Sequence, residues 1–232
     1  MKKHIKIFSL IAGAVCLILS SFIASETTEA AGEVIKLPSP EHKGRMSVEE
    51  AIYKRRSIRR YTSRPLSLSE ISQVLWSAGG QTIDGITGPT RSYASAGGRY
   101  PLEIYLVAGN VTGLEPGIYK YNWVDNTLEL LKKGDFRGKL SNAAYRQSMV
   151  LDAPATIVVT TAQAKAVSRY GKRGEQYVCM DAGHMGQNVH LQAESLGLGT
   201  VMIGAYSDNE VIDVLGTKGE TTVYIMPIGR PR

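Results

Sequence analysis

Apolar and polar residues follow one another along this 232-residue chain with two periods, which predict short strands and short helices. Runs of branched and aromatic residues, which are typical of strands, lie at 102–108, 117–121, 127–131, 155–161 and 222–228. Apolar residues three or four positions apart, which are typical of amphipathic helices, lie at 47–53, 70–78, 135–148, 176–196 and 208–215. Because these elements do not alternate regularly and no GxGxxG turn joins a strand to a helix, the pattern predicts an α+β fold and not a dinucleotide-binding sheet.

The helix predicted at 70–78 has recognisable ends. Ser67 or Ser69 suits its N-cap, and the glycine pair directly after it is expected to stop it. The residues that follow, 81–93, are glycine-rich and polar, which predicts a loop that could line a site. We interpret Trp76, inside the helix, as a core residue.

The first thirty residues predict a targeting segment. Positively charged residues precede an apolar run at 7–24, and small residues follow it. This order is typical of a secretory signal peptide, residues 1–30, and we favour cleavage after Ala30. An uncleaved membrane anchor is the alternative, because a run of about eighteen residues is near the lower limit for spanning a bilayer. Residues 31–46 are expected to be a linker, and 47–232 a single domain that is periplasmic or secreted.

Composition and charge limit the partners of this domain. An apolar content of 43% and a charged content of 21% are ordinary for a soluble globular protein. The net charge of +6 suits anionic ligands, and because no nucleic-acid-binding motif accompanies it, we expect no nucleic acid partner. Once the leader is removed Cys179 is the only cysteine, so an internal disulfide is excluded. We interpret His184 and His190, six positions apart, as structural or interfacial residues and expect no metal site.

The densest cluster of chemical groups is the sequence RRSIRRY at 55–61. Guanidinium groups are planar donors that match phosphate oxygens and stay charged at any working pH. Along an extended segment, Arg55, Ser57 and Arg59 share one face, which could hold a phosphorylated ligand. A solvated basic turn and a nucleic-acid-binding patch are the alternatives.

Three further motifs accompany this segment: LSLSEI at 66–71, LWSAGG at 75–80 and SAGGRYPLE at 95–103. Together they resemble the nitroreductase family of FMN enzymes, and in particular its branch of SagB/ThcOx-type dehydrogenases. The resemblance extends from Ser47 to the C-terminus. It implies a nitroreductase-like fold, in which a mostly antiparallel sheet is flanked by helices, and an intertwined homodimer with FMN sites built from both subunits.

The resemblance also implies which residues contact FMN. Those near the phosphate are Arg55, Arg56, Ser57, Arg59 and Arg230. Those that lie against the flavin ring across the dimer interface are Ser95, Ala96 and Gly97. An ordinary turn before a strand is the alternative reading of the latter group. Ile203 or Gly204 is implied to supply a backbone amide near flavin N5.

The long helix predicted at 176–196 carries a polar stripe, formed by Asp181, His184, Asn188 and Gln192. We interpret this stripe as part of a dimer interface, with a catalytic array as the alternative. Before the helix stands Arg169-Tyr170, where azole-forming relatives often carry Lys-Tyr. Because arginine is a poor general base, this departure weakens the case for azoline oxidation and makes Tyr170 the candidate for proton transfer.

These features predict an FMN-dependent oxidoreductase of the SagB/ThcOx type, which transfers hydride between flavin N5 and a small-molecule or peptide substrate. One alternative is an NAD(P)H-dependent nitro- or quinone reductase, although those nucleotides are scarce outside the cytoplasm. The other is a flavin-binding protein without catalytic activity. We expect contact with a membrane only if the leader is uncleaved.

Overall fold

A computed structural model describes residues 32–85, 88–162 and 168–232, and residues 32–232 form one compact unit. The predicted signal peptide, residues 1–30, lies outside the described residues. The helices are α1 (Val48–Lys54), α2 (Leu68–Gly79), α3 (Arg137–Ala143), α4 (Ser148–Asp152), α5 (Arg173–Ser195) and α6 (Asp208–Leu215). Among the described residues, no helix is both long enough and apolar enough to span a bilayer.

One large sheet organises the unit. The strands are β1 (Val34–Lys36), β2 (Leu66–Ser67), β3 (Gln81–Gly85), β4 (Gly88–Arg91), β5 (Leu102–Ala108), β6 (Val111–Thr112), β7 (Gly117–Asn122), β8 (Thr127–Lys133), β9 (Ala155–Thr161), β10 (Gly199–Thr200) and β11 (Thr221–Gly229). Seven of them pair in the order β1-β8-β7-β5-β9-β11-β10, and every neighbouring pair is antiparallel. This confirms the predicted α+β fold with a mostly antiparallel sheet.

Helices cover both faces of the sheet because side chains alternate along its central strands. On β5, Ile104 and Leu106 belong to the core shared with α2 and α5. Tyr105 and Val107 point the other way, into the core shared with α3, α4 and α6. Burial of each such side chain contributes about 1.5–3 kcal/mol. The two apolar layers therefore fix α2 and α5 on one face, where the candidate site residues lie.

The start of α2 is fixed by a capping box. The Glu70 amide donates to Ser67 Oγ over 3.2 Å, and the Ser67 amide donates to Glu70 Oε2 over 2.8 Å. Each side chain therefore satisfies a backbone donor that the first helical turn leaves unpaired. Ser67 is the N-cap, as one of the two predicted candidates, and the helix begins two residues earlier than predicted.

The prediction of a loop at 81–93 was wrong, because most of this region forms the β3–β4 hairpin. The hydroxyl groups of Thr82 and Thr90 hydrogen-bond across the two strands over 2.8 Å. Threonine is branched at Cβ and favours strands, a signal that the glycines around it obscured. Residues 86 and 87, between the strands, lie outside the described residues.

Two other predicted elements differ from the structure. The helix predicted at 135–148 is broken into α3 and α4, because Tyr145 and Arg146 adopt left-handed backbone conformations with φ of 54° and 60°. The linker predicted at 31–46 contains β1, which pairs with β8 at the edge of the sheet. Because β1 is short and its partner β8 lies about ninety residues later in the sequence, no local pattern indicates that the two strands pair.

Trp76 is half-buried and not a core residue as predicted. Its ring lies 5.2 Å from the imidazole of His42, centroid to centroid, and its Nε1 donates to the Gln81 carbonyl over 3.0 Å. An indole N–H needs an acceptor when it is removed from water, which the β3–β4 hairpin supplies here. Trp76 therefore joins α2 to the hairpin at the surface.

Candidate functional site

The arginine-rich segment meets the other end of the chain. The Ile58 amide donates to the Thr200 carbonyl over 2.9 Å, which places the segment beside β10. The Thr62 amide donates to the Arg230 carbonyl over 2.9 Å, and the Arg232 amide donates to the Arg60 carbonyl over 3.1 Å. We call this meeting of residues 55–62 with 199–204 and 230–232 the arginine junction.

Tyr61 and two glycines hold the junction together. The Tyr61 side chain is buried, and its hydroxyl donates to the Ile58 carbonyl over 2.7 Å. A Cβ at Gly229 would collide with the Tyr61 ring, and one at Gly199 would collide with Ile58. Burial raises the pKa of Tyr61, so its hydroxyl keeps the proton that it donates. The segment can therefore approach the sheet only because glycine stands at both positions.

The side chains of the junction leave donors without partners. Arg56, Ser57 and Arg59 are exposed, and Arg55 is half-buried. The Arg230 Nη2 group donates to Glu70 Oε1 over 2.7 Å, whereas Arg230 Nε is buried and has no partner in the described part of the chain. An unpaired buried donor costs free energy that an anionic ligand would recover. The junction is thus a cationic surface with a donor free for an anion.

The two residues implied to supply an amide near the flavin differ in their bonding. The Ile203 amide donates to the Ile225 carbonyl over 2.9 Å, so it is already paired. Gly204 is exposed, and within the described residues its amide donates to no carbonyl. A Cβ at Gly204 would meet no atom within 4 Å, so there is open space at the position of a side chain.

A second group of site residues forms around the turn at 95–98. Ser95 Oγ donates to Asp181 Oδ2 on α5 over 2.5 Å and accepts from the Tyr100 amide over 2.9 Å. Gly97 has a left-handed φ of 58°, and a Cβ at this position would collide with Tyr170 Oη. The structure therefore brings the turn Ser95, Ala96 and Gly97 together with Tyr170, the candidate for proton transfer. We call this the glycine turn.

The polar stripe of α5 supports the glycine turn within its own chain. The Asn188 amide group donates to the Ser92 carbonyl over 2.7 Å, and His184 Nδ1 lies 3.0 Å from the Ala94 carbonyl oxygen. Gln192 Oε1 accepts from Gln73 Nε2 over 3.0 Å. With Asp181, all four stripe residues thus bond to their own chain, which a dimer-interface interpretation did not anticipate.

Burial shifts the pKa of two groups on α5. It raises the pKa of Asp181, while hydrogen bonds from Ser95 and from the Ala96 amide act in the opposite direction. It also lowers the pKa of His190 to about 4, and the charge of Arg55 adds to this effect. His190 is therefore neutral at physiological pH, in keeping with a structural role.

The arginine junction and the glycine turn are separate groups in one chain. Asp181 contacts the glycine turn, and His190 lies near Arg55 of the junction. Nine residues of α-helix separate these two positions, which corresponds to about 13 Å along α5. In the described residues no hydrogen bond or ion pair joins the two groups. Each chain thus carries two separate groups of predicted site residues, the arginine junction and the glycine turn.

A cavity of about 720 Å³ lies between residues 39–48, α2 and α5. Glu70, Gln73 and Asn188 line it, but none of the residues predicted to contact FMN does. The cavity is therefore not the predicted cofactor site. Among the described residues, no group of three or more potential ligands could hold a metal ion.

Glu70 is the residue of this site that the sequence analysis missed. The spacing Ser67-x-x-Glu70 is the signature of a capping box, and that signal was available. Its second role, the ion pair with Arg230, joins residues 160 positions apart and leaves no trace in a local pattern.

Comparisons with known proteins show which family the chain resembles in sequence and fold. The model of the Nitroreductase family matches residues 52–230. The nitroreductase-like protein MJ1384 of Methanocaldococcus jannaschii is 39% identical over 196 residues, covering 84% of this chain and 96% of that protein. The crystal structure of a nitroreductase-like protein from Ralstonia eutropha is 26% identical, with a TM-score of 0.74, and covers 88% of this chain and 91% of that one.

A crystal structure from Anabaena variabilis, also described as nitroreductase-like, is 30% identical with a TM-score of 0.75. It covers 87% of this chain, whereas this chain spans 42% of the Anabaena chain. The likeness is therefore to one part of that longer protein.

Proposed function

The chain belongs to the nitroreductase family, and from this membership we propose that it is an FMN-dependent oxidoreductase. The observation that carries the proposal is the arginine junction, where the backbone of the arginine-rich segment bonds to Thr200, at the edge of the sheet, and to residues 230–232. Guanidinium groups bind phosphate oxygens bidentately and remain charged, so this surface suits the phosphate of FMN.

Three features of the junction fit FMN. Arg230 Nε is a buried donor without a partner, which a phosphate oxygen would satisfy. Arg59 and Ser57 are exposed and can turn toward the same anion. Gly204 has a backbone amide that donates to no carbonyl in the described residues, and open space where a side chain would stand lets a flat ring approach.

When bound, FMN would supply the hydride chemistry at its N5, for which the side chains of the protein have no equivalent. Arg55, Arg59 and Arg230 would hold its phosphate. The Gly204 amide would face the ring, and because a backbone amide does not titrate, its electrostatic effect is the same across the working pH range. The Tyr170 hydroxyl would hold or donate a proton beside the substrate.

We propose that each cofactor site is completed by a second copy of the chain. Asp181, which contacts the glycine turn, and His190, which lies near Arg55 of the junction, are about 13 Å apart along α5, judged from the helical rise. In a symmetric dimer, the junction of one subunit can face the glycine turn of its partner, and two such sites result. A homodimer therefore accounts for the separation of the two groups.

For the reaction, our first candidate is a dehydrogenase of the SagB/ThcOx type that acts on a small molecule or a peptide. The run Asp181-Ala182-Gly183-His184 and the SAGGRYP sequence at 95–101 favour it. Arg169 in place of lysine argues that any proton transfer falls to Tyr170. The name of the M. jannaschii relative favours a second candidate, an NAD(P)H-dependent nitro- or quinone reductase.

An anaerobic stopped-flow experiment separates these candidates. The purified protein should be yellow and dimeric by native mass spectrometry. Loss of flavin absorbance on mixing with an azoline peptide supports the dehydrogenase, whereas loss on mixing with NADPH supports the reductase. Tight FMN binding without reduction by any donor would indicate a flavin-binding protein without activity. A colourless monomer that does not respond to added FMN would contradict the proposal.

We further propose that the protein functions outside the cytoplasm, on the basis of the leader pattern at residues 1–30. The intact mass of the protein recovered from the producing cell tests this. A chain that begins at Ala31 supports cleavage of a signal peptide. A chain that retains residues 1–30 and sediments with membranes would instead support an uncleaved anchor.

A further inference from the structure

Glu70 connects the start of α2 to the arginine junction. Its Oε2 accepts from the Ser67 amide over 2.8 Å and from Ser67 Oγ over 3.0 Å. Its Oε1 accepts from Arg230 Nη2 over 2.7 Å. Three donors thus converge on one carboxylate, which a carboxamide could not match because one of its two terminal groups is a donor.

The ion pair with Glu70 fixes the orientation of the Arg230 guanidinium group. Arginine is a long side chain with many rotamers, and an isolated guanidinium would sample several directions. Here the side chains of Glu70 and Arg230 are only 17% and 29% exposed, so the ion pair is shielded from water. Glu70 in turn cannot rotate, because its other oxygen is held by the helix cap. The orientation of the remaining donors of Arg230, including the unpartnered Nε, is therefore fixed.

We propose that Glu70 is a positioning residue for the cofactor phosphate, because it transmits the fixed geometry of the α2 cap to the guanidinium of Arg230. This inference rests on the proposed function, since it takes Arg230 as a phosphate ligand. It adds a residue outside the arginine-rich segment, contributed by an element that the phosphate itself does not touch.

The charge of Glu70 acts against this effect. A carboxylate near the site repels a phosphate, so removal of the charge alone would strengthen FMN binding. The Arg230 guanidinium stands between the two anions and screens this repulsion. When Glu70 is replaced, loss of the fixed Arg230 orientation weakens FMN binding, whereas loss of the repulsion strengthens it. We expect the first effect to be the larger.

The experiment compares FMN with riboflavin, which has the same ring and no phosphate. Binding of both ligands to the purified protein is measured by quenching of flavin fluorescence, for wild type, Glu70→Gln and Glu70→Asp. Glu70→Gln removes the charge, whereas Glu70→Asp keeps the charge but is too short to reach Arg230. Both variants should weaken FMN binding about tenfold, a size typical of losing a partner that orients a ligand. Riboflavin binding should stay within a factor of about two.

Ser67→Ala is the matched control for the helix cap. It removes the serine hydroxyl of the capping box but keeps the Ser67 backbone amide, which still bonds to Glu70 Oε2, and it leaves the Glu70–Arg230 pair. It should therefore lower the melting temperature without changing the ratio of FMN to riboflavin affinity. A change in that ratio in Ser67→Ala would show that helix stability, and not the ion pair, governs phosphate binding, and would overturn the proposal.

Two other outcomes are also decisive. If Glu70→Gln strengthens FMN binding, or if both Glu70 variants leave the affinity ratio unchanged, Glu70 does not position the phosphate ligand. Arg230→Ala, measured in parallel, distinguishes this failure from failure of the proposed function. If Arg230→Ala weakens FMN and riboflavin equally, Arg230 does not bind the phosphate, and the placement of the cofactor is wrong.

Discussion

Arg230 is the residue on which the cofactor placement most directly depends. Its Nε is buried without a partner among the described residues, so the side chain has a donor to offer an anion. We expect Arg230→Ala to weaken FMN binding by about 10- to 100-fold, as for the loss of a charged hydrogen bond of about 1.5–3 kcal/mol. Arg232→Ala is the control, because Arg232 is exposed and contributes its backbone amide to the junction. Equal affinities in the two variants would contradict the assignment.

The second prediction at the scale of the residue concerns the backbone amide of Gly204. Gly204→Pro removes the exposed amide, whereas Gly204→Ala keeps it and places a Cβ where no atom lies within 4 Å. We expect anaerobic reduction of bound flavin to be at least about tenfold slower in the proline variant, which corresponds to about 1.4 kcal/mol in the barrier. The alanine variant should reduce at close to the wild-type rate. Matching rates in both variants would show that this amide does not face the reacting part of the ring.

His190 should make the stability of the protein depend on pH. Its pKa is lowered to about 4 by burial, with a contribution from Arg55, whereas an unfolded histidine has a pKa of about 6.5. Between these values the unfolded chain binds a proton that the folded chain does not, so the folded state loses stability as the pH falls from 6.5 to 4.

Replacement of His190 by glutamine should remove this loss. Relative to wild type, the free energy of unfolding of His190→Gln should rise by about 3 kcal/mol between pH 7 and pH 4. Urea unfolding at several pH values measures it, with the exposed His184→Gln as the control. A constant difference between His190→Gln and wild type across this range would contradict the prediction.

The sequence could indicate which residue types a phosphate site needs, but not how those residues are bonded. The roles of the arginine-rich segment and Arg230 stay predictions, and the sequence could not show that the Ile203 amide is paired whereas the Gly204 amide is not. That distinction depends on the bridge between Ile203 and Ile225, which only the folded sheet creates. Glu70 was missed for the same reason, since its partner lies 160 positions away.

At the scale of the element, α5 and the glycine turn behave as one unit. Asp181 is buried, and it accepts a hydrogen bond from Ser95 Oγ over 2.5 Å. We expect Asp181→Asn to loosen the turn, so that the amides of residues 95–100 exchange hydrogen faster. A double-mutant cycle with Ser95→Ala should give a coupling energy of about 1 kcal/mol or more, because the two residues share one bond. A coupling energy near zero would mean that the turn is held without this contact.

Elements with a clear local signal were predicted closely, and those fixed by distant pairing were not. Helix α6 occupies Asp208–Leu215, as its apolar spacing predicted. β9, at 155–161, is a buried interior strand of the sheet, in agreement with its run of branched residues. The β3–β4 hairpin and β1 were missed because their strands are short and their polar residues resemble those of loops.

At the scale of the whole molecule, the arginine junction and the glycine turn predict complementation between chains. Arg230→Ala disables the arginine junction, and Gly97→Val disables the glycine turn, because a side chain there would strike Tyr170 and strain the backbone. Neither variant alone should bind FMN well. When both are co-expressed, random pairing into symmetric dimers should restore about one quarter of the sites.

Flavin absorbance per subunit measures the restored fraction in the purified mixture. Each variant expressed by itself provides the background value. If the mixture binds no more FMN than the average of the two variants, each site is built within one chain, and the dimeric arrangement is wrong.

The fold and the family could be predicted because four short motifs together resemble those of one family, and in two of them glycine or proline also constrains the backbone. In the described residues, no such constraint on the backbone indicates the substrate or the cellular location of the protein. They depend on side chains that face solvent or a partner, and many residue types at such positions are compatible with the same backbone.

The arginine junction also bears on the order of folding. β11 lies between β9 and β10 in the sheet, and the Arg232 amide donates to the Arg60 carbonyl, so the junction pairs residues that are far apart in the sequence. The entropy lost in closing so long a loop must be overcome before such contacts stabilise the chain. The sheet is therefore expected to close late in folding, after the helices and hairpins with local contacts have formed.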